Sequence, residues 1–427
     1  MKPNELIEKI SGGELDSQLE LLYGSSPADL ESQRSRYISA VREFMRIYPE
    51  RDDVHIFSAS GRTEIGGNHT DHQHGCVLAA AVNLDVIAVV SFHRDGVIRL
   101  KSSGHKQNRV DLSDLSAKPW EKGTSNAMIR GIAAKFAEMG GKMDGFDAYT
   151  TSDVLGGSGL SSSAAFEVLV GTVIDKHYNE GRAGAVEIAK IGQFAENVYF
   201  GKGSGLMDQM VSSVGGFVFI DFHDTENPVI HRHSFDFGKA GYSLCITDTK
   251  GSHSDLTEDY VAVPTEMKSV AQQFGKEFLR DVSEEEFFSA LPKLREKCSD
   301  RAILRAAHFF GENRRAAQEA EALSAGDIDR FLEIVRCSGD SSASLLQNLY
   351  YIPKPTNQEI TLAIMMSKRV LEGRGAVRVH GGGFAGTIQA FVPTDTAEEY
   401  SREMNRIFGE DSCHILRIRP VGGIEIV

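Results

Sequence analysis

Cysteine is scarce in this sequence: five residues are spread over 427 positions, and none forms a CxxC pair. Such a set suits a reducing compartment and excludes the disulfide framework of small secreted proteins. Long apolar runs are also missing, because the most apolar stretch, residues 76–92, is interrupted by Asn83 and Asp85. The amino-terminal residues lack the apolar core of a signal peptide. We therefore expect a cytoplasmic protein with no membrane span.

Basic residues are outnumbered: 46 lysines and arginines face 60 aspartates and glutamates, for a formal net charge of −14. Proteins that bind nucleic acids or anionic membranes in general need a positive surface, so neither class is expected here. Because the net charge is negative, an anionic substrate would have to be bound by positively charged or hydrogen-bond-donating groups at its own site. At 427 residues, with 41% hydrophobic residues, the chain is long enough for two domains with substantial cores.

Hydrophobic periodicity predicts both helices and strands. Residues up to about 40 carry apolar side chains at helical spacing, so we expect helices there. Residues 86–92 read as a buried strand, the pair Asp95 and Gly96 supplies a turn, and residues 98–101 alternate as a returning strand, which together predict a β-hairpin. Later elements are expected as strands at 216–221, 242–246 and 376–392 and as helices across 284–373.

Residues 156–164 read Gly-Gly-Ser-Gly-Leu-Ser-Ser-Ser-Ala and precede an apolar helix. Glycines let the backbone approach a ligand closely, and serines at a helix start present amide hydrogens and hydroxyls at the positive end of the helix dipole. The segment therefore predicts an anion site. A glycine-rich turn with a serine N-cap is the alternative. The segment matches neither GxxxxGK[ST] nor GxGxxG, so Walker-type and Rossmann-type loops are not supported.

Residues 61–72 read GRTEIGGNHTDH and gather polar groups suited to a polyhydroxylated ligand into one turn-rich stretch. His69, His72 and His74 with Asp71 also suit a transition-metal site, because imidazole and carboxylate are common ligands. Arg62 argues against that alternative, since a bound metal ion does not favour a neighbouring cation.

Transfer of a phosphoryl group to a hydroxyl of such a polyhydroxylated ligand would benefit from a carboxylate that accepts the proton and a cation that stabilises charge. Asp208, within Gly-Leu-Met-Asp-Gln at 205–209, and Arg62 are suitable for these roles. From the residues alone, Asp208 as a helix N-cap and Arg62 as a member of a surface ion pair remain open.

Taken in order, residues 61–72, 156–164, 205–209 and 380–386 (HGGGFAG) resemble the signature of the galactokinases, which belong to the GHMP small-molecule kinases. The resemblance implies ATP-dependent phosphorylation of the anomeric hydroxyl of galactose, with Asp208 as the base and Arg62 beside that hydroxyl. It implies that Ser163 and Glu196 hold Mg²⁺ and that the late glycine loop closes over the site. The alternative for that loop is a tight turn joining two strands.

The resemblance also implies two sets of binding residues. The sugar contacts are Arg62, Asn68, His69, Asp71, Gly205, Asp208 and Tyr260, and the ATP contacts are Gly156, Gly157, Ser158, Gly159, Leu160, Ser161, Ser162, Ser163 and Ala164.

Two positions depart from the galactokinase pattern. Asn68 stands where galactokinases usually carry a glutamate that contacts the outermost sugar hydroxyl, and Asn197 stands where a histidine usually follows the metal-site glutamate. The first change removes a negative charge from the expected sugar pocket, so galacturonate or another C6-altered hexose competes with galactose as the predicted substrate. A galactokinase-like sugar-sensing regulator is a further alternative, although the intact serine segment favours an enzyme.

The fold implied by the resemblance is α+β: a two-domain GHMP kinase with mixed sheets, flanking helices and the active site in the interdomain cleft. We expect a helical extension over residues 1–40, a sugar- and phosphate-binding domain over 41–215 and a C-terminal GHMP kinase domain over 216–427. The expected partners are a hexose and ATP, with neither nucleic acid nor membrane. The sequence leaves protein partners open.

Overall fold

The computed structural model describes residues 1–154, 159–251, 257–351 and 353–427. The strands of this described part are β1 (His55–Gly66), β2 (Cys76–Phe92), β3 (Val97–Ser102), β4 (Gln107–Asp111), β5 (Gly145–Ser152), β6 (Phe217–Asp221), β7 (Val229–His233), β8 (Tyr242–Asp248), β9 (Ala376–Val379), β10 (Thr387–Pro393), β11 (Cys413–Leu416) and β12 (Ile424–Glu425). The helices are α1 (Pro3–Ser11), α2 (Asp16–Tyr23), α3 (Pro27–Ile47), α4 (Ser125–Glu138), α5 (Ser162–Tyr178), α6 (Gly184–Phe194), α7 (Met207–Val214), α8 (Thr257–Ala271), α9 (Glu284–Ser289), α10 (Leu291–Leu294), α11 (Asp300–Ala325), α12 (Ile328–Ser341), α13 (Glu359–Leu371) and α14 (Ala397–Phe408). None of these helices combines the length and the apolar composition needed to cross a membrane.

Strand β2 organises the larger of two sheets. Its apolar, β-branched run is buried along most of its length, as expected for a strand covered on both faces. One edge of β2 pairs with β1, while on the other edge residues 76–80 pair with β6 and residues 86–92 pair with β5. The sheet has the order β12-β1-β2-β5-β3-β4, with β6 and β7 extending from the first part of β2.

The predicted hairpin between residues 86–92 and 98–101 is wrong in its pairing. The chain does turn, with Gly96 at a φ of 70°, and it does return as β3. However, β5 lies between β2 and β3, running antiparallel to the first and parallel to the second. Strand β3 forms its antiparallel pair with β4 instead. Local alternation does not reveal that a strand nearly 50 residues later fills the gap.

A second, four-stranded antiparallel sheet has the order β11-β8-β10-β9. Helices α13 and α14 pack on it, while α11 contacts β2 of the larger sheet and α12 contacts β9 of the smaller one. Helices α11 and α12 therefore connect the two sheets through one continuous set of packed side chains.

The sheet pairing bears on the predicted division at residue 215. Strands β6 and β7 follow that residue but pair with the larger sheet, and β12, near the carboxyl terminus, pairs with β1. A boundary at residue 215 would separate β6 and β7 from their sheet. We therefore propose a boundary between β7 and β8, and the three-part division stays a prediction.

Helices α1–α3 cover one face of the larger sheet, where their apolar side chains pack on Ile56, Ile87 and Val89. A buried group of polar side chains holds these helices against the sheet. The carboxylate of Asp85 accepts hydrogen bonds from Tyr23, Ser58, Arg36 and Arg419. This set, the Asp85 cluster, ties the amino-terminal helices and the carboxyl-terminal segment to β2.

Candidate functional site

A cavity of about 190 Å³ is lined by polar side chains from three parts of the chain: β1 with the turn after it, the segment that enters α7, and the loop between β9 and β10. The lining residues are Arg62, Glu64, Asn68, His69, Asp71, His72, Ser204, Gly205, Met207, Asp208, Gly381 and Gly382. A larger cavity of about 640 Å³ lies beside the second sheet, but none of the predicted site residues lines it. The smaller cavity is therefore the candidate site.

Strand β1 places Arg62 and Glu64 on one face, because alternate residues of a strand share a face. The register of β1 against β2 shifts between Ser60 and Arg62 and again between Glu64 and Gly66. Such irregularities re-aim side chains beside binding sites. Because the strand continues to Gly66, the prediction of a turn-rich stretch over residues 61–72 is wrong for its first half and applies only after Gly66.

Arg62 and Asp208 form an ion pair in the cavity wall. Arg62 Nη2 lies 2.7 Å from Asp208 Oδ1, and Arg62 Nη1 donates to the Gly159 carbonyl. Asp208 lies in the first turn of α7, whose N-cap is Leu206, and Arg62 is buried. The structure therefore contradicts both alternatives, the N-cap role for Asp208 and the surface ion pair for Arg62.

The described part of the serine segment adjoins this pair. Ser161 has a left-handed backbone, with a φ of 57°, and its hydroxyl donates to Asp208 Oδ2 rather than capping α5. Helix α5 then begins at Ser162, so Ser162, Ser163 and the buried Ala164 occupy its first turn, where amide hydrogens lack intrahelical acceptors. The Leu160 carbonyl accepts from the Arg62 amide at 3.1 Å. Gly156, Gly157 and Ser158 lie outside the described residues.

Glu196, the predicted metal ligand, is buried in a π-helical turn after α6. Its Oε1 accepts from Lys202 Nζ at 3.1 Å and its Oε2 from Gln209 Nε2 at 3.0 Å. Gln209 Nε2 also donates to Glu167 at 2.9 Å, and Glu167 Oε1 is buried without a hydrogen-bond partner. Burial, with the nearby Glu196 as a further cause, raises the pKa of Glu167 to about 9. Glu167, a carboxylic acid with a strongly raised pKa, therefore lies beside Glu196.

Asn68 is buried, and its side-chain amide is already engaged by the protein. Its Nδ2 donates to Glu64 Oε1 at 3.0 Å and to the Gly381 carbonyl at 2.6 Å, while its Oδ1 accepts from Asn348 Nδ2 at 3.0 Å. Both amide hydrogens are thus used. The carboxyl group of Glu64 also lines this part of the cavity, so an acidic side chain is present here although residue 68 is an amide.

His69 connects the first motif to the late glycine loop, because its Nε2 donates to the Gly382 carbonyl at 2.9 Å. Burial lowers the pKa of His69 to about 4, so the ring is neutral near pH 7. The glycine loop joins β9 and β10, which pair antiparallel, and it also forms a wall of the cavity. The loop is therefore a turn between two strands and also lies beside the site, whereas its closure over the site stays a prediction.

Asp71 and Gly205 lie close together in the cavity. Asp71 Oδ2 is 3.4 Å from the position that a Cβ on residue 205 would take, so a side chain there would narrow the space beside Asp71. Asn197 holds the segment before α7, because its Oδ1 accepts from the Ser204 amide at 2.7 Å.

Tyr260 lies behind the glycine loop and does not line the cavity. Its hydroxyl donates to the Gly383 carbonyl at 2.9 Å, and its ring packs against Gly382, where an added Cβ would lie 2.3 Å from the ring. A direct sugar contact for Tyr260 stays a prediction, and the geometry favours support of the loop.

The histidine-rich turn does not form a metal centre. His69 is bonded to the glycine loop, His72 is exposed, and His74 stacks on Phe278 with ring centroids 3.7 Å apart. Across the described residues, histidine, cysteine and acidic side chains form no group of three or more that could hold a metal ion. The transition-metal alternative is therefore not supported.

Sequence reasoning missed Glu64, Glu167 and Asn348. Glu64 could have been found from strand alternation, since it lies two residues after Arg62. Glu167 lies one turn of α5 after Ser163, at i+4, and so shares its helix face. No sequence signal marks Asn348, which lies 280 residues away from Asn68 along the chain.

Two family models match the chain. The galactokinase galactose-binding signature matches residues 42–92, which contain β1, the turn at the cavity and β2. The GHMP kinases N terminal domain matches residues 127–216, which contain α5, Glu196 and Asp208.

Curated relatives extend the similarity over most of the chain. A galactokinase of Actinobacillus pleuropneumoniae serotype 5b is 32% identical over 352 residues, which span 81% of this chain and 86% of that protein. A galactokinase of Streptomyces coelicolor is 29% identical over 356 residues, which span 83% and 88%.

Two solved structures share the fold. The galactokinase of Lactococcus lactis complexed with galactose matches with a TM-score of 0.75 and 22% identity, covering 90% of this chain and 98% of that one. The mevalonate kinase of Methanococcus jannaschii matches with a TM-score of 0.61 and 16% identity, covering 85% and 98%. These likenesses confirm the predicted α+β GHMP kinase fold.

Proposed function

The chain belongs to the galactokinase family of the GHMP kinases, and we propose that it transfers the terminal phosphoryl group of ATP to the anomeric hydroxyl of galactose. It is a phosphotransferase with an alcohol group as acceptor.

The observation that carries the proposal is the position of Asp208. Its carboxylate lines the cavity and is held between the guanidinium of Arg62, at 2.7 Å, and the hydroxyl of Ser161 at the start of α5. A base in this place touches the sugar cavity on one side and the predicted phosphate site on the other. Acceptor and donor can therefore meet beside it.

Asp208 accepts the proton of the anomeric hydroxyl while that oxygen attacks the terminal phosphorus of ATP. The bond between this phosphorus and the bridging oxygen then breaks, and ADP leaves. Arg62 stabilises negative charge around the transferring group, and it also holds Asp208 in place. Asp71, His69 and Gly205, which also line the cavity, orient the sugar.

The nucleotide phosphates bind at the start of α5, where the amides of residues 162–164 lie at the positive end of the helix dipole. The oxygen donors there fit Mg²⁺, a hard ion. Glu196 is a buried carboxylate that already pairs with a cation, Lys202, and the neighbouring Glu167 has a buried oxygen without a partner. Ser163 and Glu196 would hold the ion, which when bound offsets phosphate charge.

We also propose a cytoplasmic location, supported by the five cysteines, all of which are free. The net charge of −14 gives no reason to propose a nucleic-acid or membrane partner.

The test is a sugar panel with the purified protein, ATP and Mg²⁺, in which ADP formation is followed and the product is identified by NMR. We expect galactose to be consumed and phosphorylated at the anomeric oxygen. Binding of sugar and ATP without ADP formation would instead identify a regulator. Faster turnover of galacturonate than of galactose would identify galacturonate as the substrate.

A further inference from the structure

Glu64 lines the same cavity as Arg62 and Asp208, yet the proton transfer does not use it. It lies two residues from Arg62 along β1, which corresponds to about 7 Å at a rise of about 3.3 Å per residue. A hexopyranose measured between hydroxyl oxygens on opposite sides of its ring has a similar length. If the anomeric hydroxyl lies at Arg62 and Asp208, the opposite end of the sugar reaches Glu64.

The two oxygens of Glu64 have different surroundings. Oε1 accepts from Arg378 Nη2 at 2.9 Å and from Asn68 Nδ2 at 3.0 Å. Oε2 has no hydrogen-bond partner among the described residues, and the side chain keeps only 8% of its surface exposed. Arg378 is fully buried and also donates to the Ile65 carbonyl, so it fixes the carboxyl group in place. One oxygen is thus anchored and the other is available to a ligand.

The charges around the cavity disfavour a substrate carboxylate. Glu64, Asp71 and Asp208 line it, and Arg62 is the one arginine or lysine among the described lining residues. Arg62 is already paired with Asp208 and bonded to the Gly159 carbonyl, and burial keeps His69 neutral. A uronate would therefore meet acidic groups and no unpaired guanidinium or ammonium.

We propose, on the basis of the sugar-kinase function proposed above, that Glu64 determines substrate specificity. Glu64 Oε2 accepts a hydrogen bond from a hydroxyl at the end of the hexose remote from the anomeric carbon. The same carboxylate selects neutral hexoses against hexuronates.

The test compares the wild-type protein with Glu64→Gln on galactose, galacturonate and the galactose analogues that lack the hydroxyl at carbon 2, 3, 4 or 6. In the wild type, the sugar that lacks the hydroxyl at carbon 3, 4 or 6 is expected to lose about tenfold or more in kcat/KM, as for a lost hydrogen bond to a charged group, and the 2-deoxy sugar is not. In Glu64→Gln that loss shrinks, the preference for galactose over galacturonate falls by about tenfold, and the KM for ATP is unchanged.

Glu266→Gln is the matched control. Glu266 also pairs with a fully buried arginine, Arg305, at 3.0 Å, but it lies outside the cavity. We expect this variant to keep the wild-type selectivity, which separates a specific effect from the general cost of breaking a buried pair.

Two results overturn the inference while leaving the kinase function intact: wild-type protein that uses galacturonate or every deoxy sugar as well as galactose, or Glu64→Gln with unchanged selectivity. The wild-type measurements decide the matter if the variant fails to fold. Failure to phosphorylate any hexose overturns the proposed function and the inference together.

Discussion

Buried polar residues line the site or support it, and burial determines the protonation state of two of its histidines. It lowers the pKa of His380 to about 3 and that of His69 to about 4, so both rings are neutral at physiological pH. His380 lies 3.0 Å from Thr63 Oγ1 and 3.0 Å from Thr387 Oγ1, which links β1 to the second sheet. Neutral histidines can join these segments without adding charge.

His380 predicts a pH dependence of stability. Between pH 6.5 and 3 the unfolded chain binds a proton at this residue and the folded chain does not, so the free energy of unfolding falls as the pH falls. We expect His380→Gln to remove up to about 1.4 kcal/mol per pH unit of this slope. Urea denaturation from pH 4.5 to 8 measures it, and identical slopes would contradict the assignment.

The sequence could predict that Arg62, Asp208 and the serine segment lie together, because these residue types suit one reaction and resemble one family pattern. The sequence could not predict which other groups of the protein form hydrogen bonds with the site residues. Asn68 looked available for substrate, but Asn348 and the Gly381 carbonyl occupy its amide. Such pairings depend on loops that meet only after the chain has folded.

At the scale of elements, local patterns predicted strands and helices better than their partners. The strand at residues 86–92 was confirmed as part of β2, but its expected partner β3 lies beyond β5. Strand alternation records which face is buried and does not record which strand lies next to it. The glycine loop shows the same limit, because its contacts with His69 and Tyr260 involve residues over 120 positions away.

Tyr260→Phe tests whether helix α8 supports the glycine loop. Losing the bond from the hydroxyl to the Gly383 carbonyl should destabilise the protein by about 1 kcal/mol and speed amide hydrogen exchange in residues 380–387. The KM for the sugar should rise severalfold with kcat close to wild type.

Tyr242→Phe is the control for this variant, because the Tyr242 hydroxyl also donates to a carbonyl, that of Arg374, at 3.1 Å and away from the site. Unchanged exchange in residues 380–387 of Tyr260→Phe would mean that α8 does not hold the loop.

For the whole molecule, the Asp85 cluster joins segments that are distant in sequence. Arg36 comes from α3, Arg419 follows β11, and both donate to Asp85 of β2. The cluster lies away from the cavity, so its role is to hold the chain termini on the sheet that carries Arg62 and Glu64.

Asp85→Ala should therefore reduce stability and spare catalysis. Leaving Arg419 buried without its partner costs about 3–5 kcal/mol, and chemical denaturation measures the loss. Asp95→Ala removes a carboxylate from exposed ion pairs with Arg51 and Arg99, so it should change stability little. Equal stability of the two variants, or a lowered kcat for folded Asp85→Ala, would contradict this division of roles.

The central claim is that Asp208 accepts the proton of the sugar hydroxyl, and the most direct test is the kcat of Asp208→Asn with galactose and ATP. Asp221→Asn is the control, because Asp221 also pairs with an arginine, Arg280, at 2.6 Å but outside the cavity. We predict that Asp208→Asn still binds both substrates and loses about 10²- to 10⁴-fold in kcat, while Asp221→Asn stays near wild type. Turnover by Asp208→Asn within a few fold of the control would contradict the account.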